Sequence, residues 1–369
     1  MNSISRGIVE YEFDKDHPML ADRDVAPLPC DRWIASSALQ KAIRRADVAT
    51  AQRAARTLYL ADPRNAWRRL LGIAVEDVGI GSIDAVIATA SRSIDVKTRR
   101  DDGGDEAAFL SSCRILAQAP KDRSADLLFS AGMHSPFLEK ARSTCAAMSL
   151  EERLEFIAEP TWTLPERAIA VWHASGVEPR GERRVGRGDF NALMRTYAKL
   201  GAPDKLLDAV AIAARKTREP MTVFPPLIWL EASKSETFIV DDPLPPSGSL
   251  NGVPLYALDK HTRAGRRAIR LFGQRNTKIA CFARDHLRDC KNDGALRIAV
   301  FYAEGGLTRP SLRWEQSEEL ENLGVAADFF PVNTSAQIGV ALIKLVSENL
   351  AHLNDIRAEL LSRDLLSEC

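Results

Sequence analysis

From residue 31 onward, apolar residues recur at helical spacing. Leu39, Ala42, Ile43 and Ala46 fall at i, i+3, i+4 and i+7, one face of a first helix. Asp47 is placed to cap a second helix, with Val48, Ala51, Ala55 and Leu58 inward and Arg53 and Arg56 outward. Asp62-Pro63 sets proline at the first position of a third helix, whose inner face is Trp67, Leu70, Leu71 and Ala74. Gly79 and Gly81 end it, and Ser82 starts another through Val86 and Ile87. The charged, glycine-containing stretch from Arg99 to Asp105 reads as an exposed loop. Phe109, Ser112, Cys113 and Leu116 restore the helical period. Ser149-Leu150-Glu151-Glu152 is a capping-box pattern, and Leu164-Pro165 opens a helix carrying Ile169 and Trp172.

The pattern also divides the chain. Residues 1–30 contain many Asp and Pro, lack a helical period, and read as an extended arm ending at Pro27-Leu28-Pro29. Gly181, Gly186 and Gly188, interleaved with Arg180, Arg183, Arg184 and Arg187, make 177–188 a linker. It separates a helical domain at 31–176 from a second, mostly helical domain at 189–369. In the latter, helices start near Asp189 and Asp204, with Leu207, Val210, Ala211 and Ala214 inward, and 241–252 is a surface loop. Leu296 to Tyr302 is the one convincing strand candidate. Thr334 or Ser335 caps a final long helix running through Leu350 and on to Leu361. The fold class is therefore mainly α, a helical bundle followed by a second helical domain with a small β element. No fixed-period repeat runs along the chain.

Composition narrows the class. A hydrophobic share of 45% with 27% charged residues describes a globular chain and excludes a disordered one. Lys+Arg 50 against Asp+Glu 50 argues against indiscriminate polyanion binding, while leaving room for a local basic patch. The polar start lacks a secretory signal, and no run of about 18 apolar residues predicts a membrane span. Six scattered cysteines (Cys30, Cys113, Cys145, Cys281, Cys290, Cys369) read as reduced thiols, giving a cytoplasmic expectation. No P-loop, H-E-x-x-H or G-x-S-x-G pattern occurs, so no cofactor, metal or catalytic residue is expected.

Two segments carry candidate chemistry. Glu76-Asp77 are adjacent carboxylates pointing about 100° apart on a helix, which favours a structural role paired with Arg68 or Arg69 over acid–base work. In Asp259-Lys260-His261-Thr262-Arg263-Ala264-Gly265-Arg266-Arg267-Ala268-Ile269-Arg270, Asp259 or Thr262 is placed to cap a helix. Arg263, Arg266 or Arg267, and Arg270 then share one stripe, with Ala264, Ala268 and Leu271 toward the core and Arg275 and Lys278 extending the charge. Such a stripe suits phosphates or a partner. The bland alternative is a solvated face paired with the acidic run Glu315–Glu321. Asp259 and His261 are either an acid–base pair or a hydrogen bond at a helix start. An enzyme acting on a phosphate-bearing substrate through Asp259, His261 and neighbouring arginines is thus the alternative function.

The run Ser37-Ala38-Leu39-Gln40-Lys41-Ala42-Ile43-Arg44-Arg45-Ala46-Asp47 is followed by Arg68-Arg69-Leu70-Leu71-Gly72-Ile73-Ala74-Val75-Glu76-Asp77-Val78-Gly79-Ile80. Leu116-Ala117-Gln118-Ala119-Pro120-Lys121 comes next, with Ser124-Ala125 after it. From about residue 31 to 132, these blocks resemble the C-terminal helical part of the RarA/MgsA family, relatives of the Werner-helicase-interacting ATPase. The resemblance implies a clamp-loader-like collar that mediates oligomerisation, in proteins acting at stalled replication forks. It assigns structural roles to Ser37, Leu39, Lys41, Arg44, Arg69, Glu76, Asp77, Gly79, Pro120 and Lys121. The family's AAA+ ATPase module has no counterpart ahead of these blocks, so the resemblance brings a fold and a way of assembling but no activity. The expectation is a non-catalytic protein of DNA replication, recombination or mobile-element maintenance. It would self-associate or bind a AAA+ partner, with DNA as a further partner and no membrane contact.

Overall fold

Capping chemistry places the helices of the first half where the pattern predicts. Asp31, Asp47, Asp62 and Ser82 each accept backbone N–H bonds at the starts of helices Arg32–Arg44, Val48–Ala61, Pro63–Ile73 and Ile83–Ile94. Ser149 and Thr163 form full capping boxes ahead of Leu150–Ala158 and Leu164–Ser175. The computed structural model describes residues 25–178, 187–287 and 293–367. Most of the expected arm at 1–30, and residues 179–186 of the expected linker, lie outside them. The chain is mainly helical (73% helix against 3% strand), with two small two-stranded antiparallel sheets among the described residues. No single described helix is long and apolar enough to cross a membrane.

Three hydrophobic clusters hold the helices together. The first gathers the helices up to Gln118 around Leu39, Leu70 and Phe109, and is closed by Val253, Tyr256 and Leu258. The second joins Leu128, Ile169 and Trp172 to Leu193, Tyr197, Leu227 and Trp314. It therefore draws residues from either side of 177–188, and helix Ser317–Phe329 lies along Ser124–His134 within it. The third packs Ile269 and Phe272 against Leu296, Val300, Leu353 and Ile356.

Three local expectations are corrected. Leu296 to Tyr302 is no strand but helix Gly294–Val300 running into a π-helical turn, Phe301–Gly305. Its buried residues, Ala295, Leu296, Ala299, Val300 and Ala303, follow a helical period through the apolar run. The actual strands are Phe238–Val240 with Ser311–Arg313, and Ser249–Leu250 with Val253–Pro254. The stretch Arg99 to Asp105, expected as loop, begins inside a short helix, Val96–Asp101, capped by Asp95. The final long helix is two, Ala336–Ser347 capped by Ser335 and Leu350–Ser367.

The structure also shows a two-copy recurrence. Helices Arg32–Arg44, Val48–Ala61 and Pro63–Ile73 lead into a π-helical turn at Ala74–Val78. Helices Arg263–Arg275, Thr277–His286 and Gly294–Val300 lead into the second such turn at Phe301–Gly305. The sequences echo each other: Lys41-Ala42-Ile43-Arg44 against Arg267-Ala268-Ile269-Arg270, and Ile73-Ala74-Val75 against Ile298-Ala299-Val300. The interval between the two blocks differs by a single residue between copies. A glycine N–H closes each turn, Gly79 onto Ala74 and Gly306 onto Phe301, and a buried acid, Asp77 or Glu304, precedes that glycine by two positions.

The start of the second copy is held by close backbone approach. Thr262, rather than Asp259, caps helix Arg263–Arg275 by accepting the Gly265 N–H at 3.0 Å. A Cβ on Gly265 would run into the backbone of Leu258 and Asp259. Gly265→Ala will therefore destabilise the protein by about 1–3 kcal/mol despite alanine's better helix propensity. Urea unfolding measures this; equal or greater stability would mean that the approach is not tight.

Candidate functional site: a buried charge junction and an exposed basic stripe

The residues of the family-like blocks meet the D-K-H-T segment in the interior. From helix Arg32–Arg44, Lys41 Nζ reaches Asp259 Oδ2 at 2.6 Å, and both side chains are almost wholly buried. The same ammonium donates to Ser37 Oγ at 2.7 Å, whose hydroxyl donates on to Asp259 Oδ1 at 3.3 Å. Burial alone would raise the Asp259 carboxyl, but Lys41 beside it, then His261, hold it well below the usual carboxylate range. His261 contributes its backbone N–H to Asp259 Oδ1 at 2.9 Å, the helix-start bond, and the residue itself is exposed. Asp259 is thus the anion of a buried ion pair.

One turn further along, Arg44 binds both acids of the first π-turn, Asp77 at 2.6 Å and Glu76 at 3.0 Å. The wider turn brings these adjacent carboxylates onto one partner, and the Gln40 amide also donates to both at 2.8 Å. Their cations are Arg44 and, for Asp77, Arg123 at 3.4 Å. Arg68 and Arg69, the expected partners, instead donate to the Thr217 carbonyl and the Gln40 side chain. Arg44 also donates to the Gly305 carbonyl at 2.7 Å, so one guanidinium ties the first π-turn to the second. Phe301, in that second turn, carries the cations of Arg44, Arg123 and Lys260 over its ring. Glu304 pairs with Arg357 at 2.7 Å, both buried, and Arg357 donates to the Leu258 carbonyl.

The third block locks against the first π-turn. Gly79, with φ +49, and Gly81 lie against the backbone of Pro120, Lys121 and Asp122, where a Cβ on Gly81 would be 2.5 Å from the Pro120 carbonyl oxygen. The Asp122 N–H donates to the Asp77 carbonyl at 3.1 Å. Lys121 is buried and donates to the Ala117 and Ala119 carbonyls at the C-terminal end of helix Asp105–Gln118, while loss of hydration lowers its ammonium to about 7. Leu39 lies apart in the first hydrophobic cluster.

Burial pushes the Asp122 carboxyl up to about 6, against the pull of the Ser124 hydroxyl. Its folded-state affinity for a proton thus exceeds that of the unfolded chain, so its contribution to stability falls as pH rises from about 4 to about 6. Asp122→Asn will remove that fall, a difference of about 2–3 kcal/mol across the window. Urea unfolding of both proteins at each pH gives the answer; parallel profiles would contradict it.

The other candidate residues form a surface. Arg263, Arg266, Arg267 and Arg270 are exposed on helix Arg263–Arg275, whose buried side is Gly265, Ala268, Ile269 and Phe272; Ala264 and Leu271 are only partly covered. Arg263, Arg266 and Arg267 form no ion pair among the described residues, and Arg270 lies 3.7 Å from Asp293. Arg275 pairs with Glu359 at 2.6 Å, and Lys278 is exposed on the next helix. The acidic run does not neutralise the stripe: its Glu321 pairs with Arg313.

No family model, curated protein or solved structure matches the chain. Its chemistry rests on its own geometry. The first copy of the recurrence has its basic side chains, Lys41 and Arg44, buried and paired with carboxylates. The sequence-equivalent Arg267 and Arg270 of the second copy face solvent. Gln40, Arg123, Phe301, Glu304 and Arg357 also belong to the junction, and no local pattern around them marks them as site residues. The repeated Ile-Ala-Val ahead of an acid and a glycine was the signal available for the second turn.

Proposed function

We propose that the chain is a non-catalytic assembly protein of DNA replication, recombination or mobile-element maintenance. Its collar-like first half self-associates or engages a AAA+ partner, and its Arg263–Arg270 stripe lies on DNA phosphates. The observation that carries this reading is the contrast between the two copies. Lys41, Arg44 and Arg357 in the junction each pair with a buried carboxylate, whereas Arg263, Arg266 and Arg267 are exposed without one. Unpaired guanidinium groups along one helix face suit a polyanion, each contact adding to a salt-dependent affinity. The enzymatic alternative loses support because Asp259 is committed to Lys41 and Ser37.

Size-exclusion chromatography with light scattering, together with duplex binding at low salt, tests the reading. An oligomer, or a stable complex with a AAA+ ATPase, is expected along with DNA binding. A strict monomer that binds neither DNA nor such a partner would overturn it.

A further inference from the structure

Helix Pro63–Ile73 contains a glycine, Gly72, near its end. Glycine in a helix interior costs about 0.8–1 kcal/mol relative to alanine, so it normally has a steric or conformational reason. At Gly265, Gly79 and Gly81 that reason is a neighbouring backbone. Gly104 and Gly201 have open space but a positive φ. Gly72 has neither: its backbone is ordinary helix, and a Cβ there would meet nothing within 4 Å. The space it leaves open is part of a cavity of about 410 Å³, within the usual range for small-ligand sites.

The chemistry around that space is specific. Trp33 stands at its edge with 63% of its surface exposed, and the Arg32 guanidinium lies 4.8 Å from the ring centroid. Arg68 and Arg69 line the same cavity, fixed by the Thr217 carbonyl and the Gln40 side chain. None of these three arginines forms an ion pair among the described residues. Of the two acids in the lining, Asp62 is engaged in capping its helix and bonding Asn65, which leaves Glu219 facing the space. Leu58 and Ala66 supply an apolar wall.

We infer that this cavity binds a nucleoside phosphate. The base stacks on Trp33, the phosphate sits among Arg32, Arg68 and Arg69, and Glu219 accepts from a ring or exocyclic N–H. Base–aromatic stacking supplies the sequence-tolerant part of such an affinity, and clustered guanidinium groups recognise a phosphate by paired hydrogen bonds. The ligand is either a free nucleotide or the phosphorylated end of a strand. This site is separate from the Arg263–Arg270 stripe and stands or falls independently of it.

Calorimetry on the full chain tests the inference with a nucleoside monophosphate, the matching nucleoside, and a short 5′-phosphorylated oligonucleotide. The oligonucleotide is titrated into an Arg266→Glu, Arg267→Glu background so that the stripe does not contribute. A phosphate-bearing probe is expected to bind, and the nucleoside at least about tenfold more weakly. Binding of the monophosphate assigns the site to free nucleotides; binding of the oligonucleotide alone assigns it to strand ends. Gly72→Leu fills the cavity and will abolish binding with an equal or higher melting temperature, and Trp33→Ala will weaken it about tenfold. Absence of binding by both phosphate probes would overturn the inference. So would unchanged affinity in Gly72→Leu, or a loss of stability showing that the space is not open.

Discussion

Arg44→Met will lower the unfolding free energy by about 3–5 kcal/mol, the usual cost of removing one partner from a buried ion pair. Methionine keeps the aliphatic stem, so the loss is electrostatic rather than a cavity. Asp77, fully buried, loses its 2.6 Å partner, Glu76 loses its contact, and the Gly305 carbonyl loses its donor. Burial already pushes the Asp77 carboxyl up while Arg44 pulls it back. Without Arg44 the variant will hold a proton on Asp77 to higher pH, so the deficit will be smaller near pH 5 and larger near pH 8. Adding Asp77→Leu will recover part of it, because the fully buried carboxylate is then no longer stranded. Urea unfolding at the two pH values checks all three statements. A deficit below about 1 kcal/mol would mean that the junction is not what joins the two π-turns.

Arg266→Glu with Arg267→Glu will leave stability unchanged to within about 0.5 kcal/mol, as both side chains are exposed and unpaired. Duplex DNA affinity at low salt will fall by about 10²-fold or more, since two phosphate contacts become two repulsions. A charge reversal at Glu318, an exposed acid at the start of helix Ser317–Phe329, will not lower DNA affinity. That comparison separates a local surface from a general effect of net charge, which is zero over the whole chain.

The helices of the first half were legible because each begins with a cap and carries a regular apolar face, as at Asp47 and Ser149. The run Leu296 to Tyr302 reads as strand because seven mostly apolar residues carry too little periodicity to separate a strand from a helix. The junction was half legible. Glu76 and Asp77 could be read as structural, but their partners could not, since a π-turn changes which way neighbouring side chains point. Lys41 and Asp259 lie far apart in the chain, and neither residue's local pattern says that the other will be its counter-ion. The exposed arginines were legible from helical spacing alone, because Thr262 starts the helix where a cap was expected.

The salt dependence of duplex DNA binding tests the account most directly. With Arg263, Arg266, Arg267 and Arg270 on phosphates, the logarithm of the affinity will fall against the logarithm of salt concentration with a slope of about −3 to −4. The Arg266→Glu, Arg267→Glu variant will show a slope shallower by about 2. A wild-type protein that does not bind at low salt, or a variant with the same affinity and slope, would contradict the claim that this face is the DNA-contacting surface.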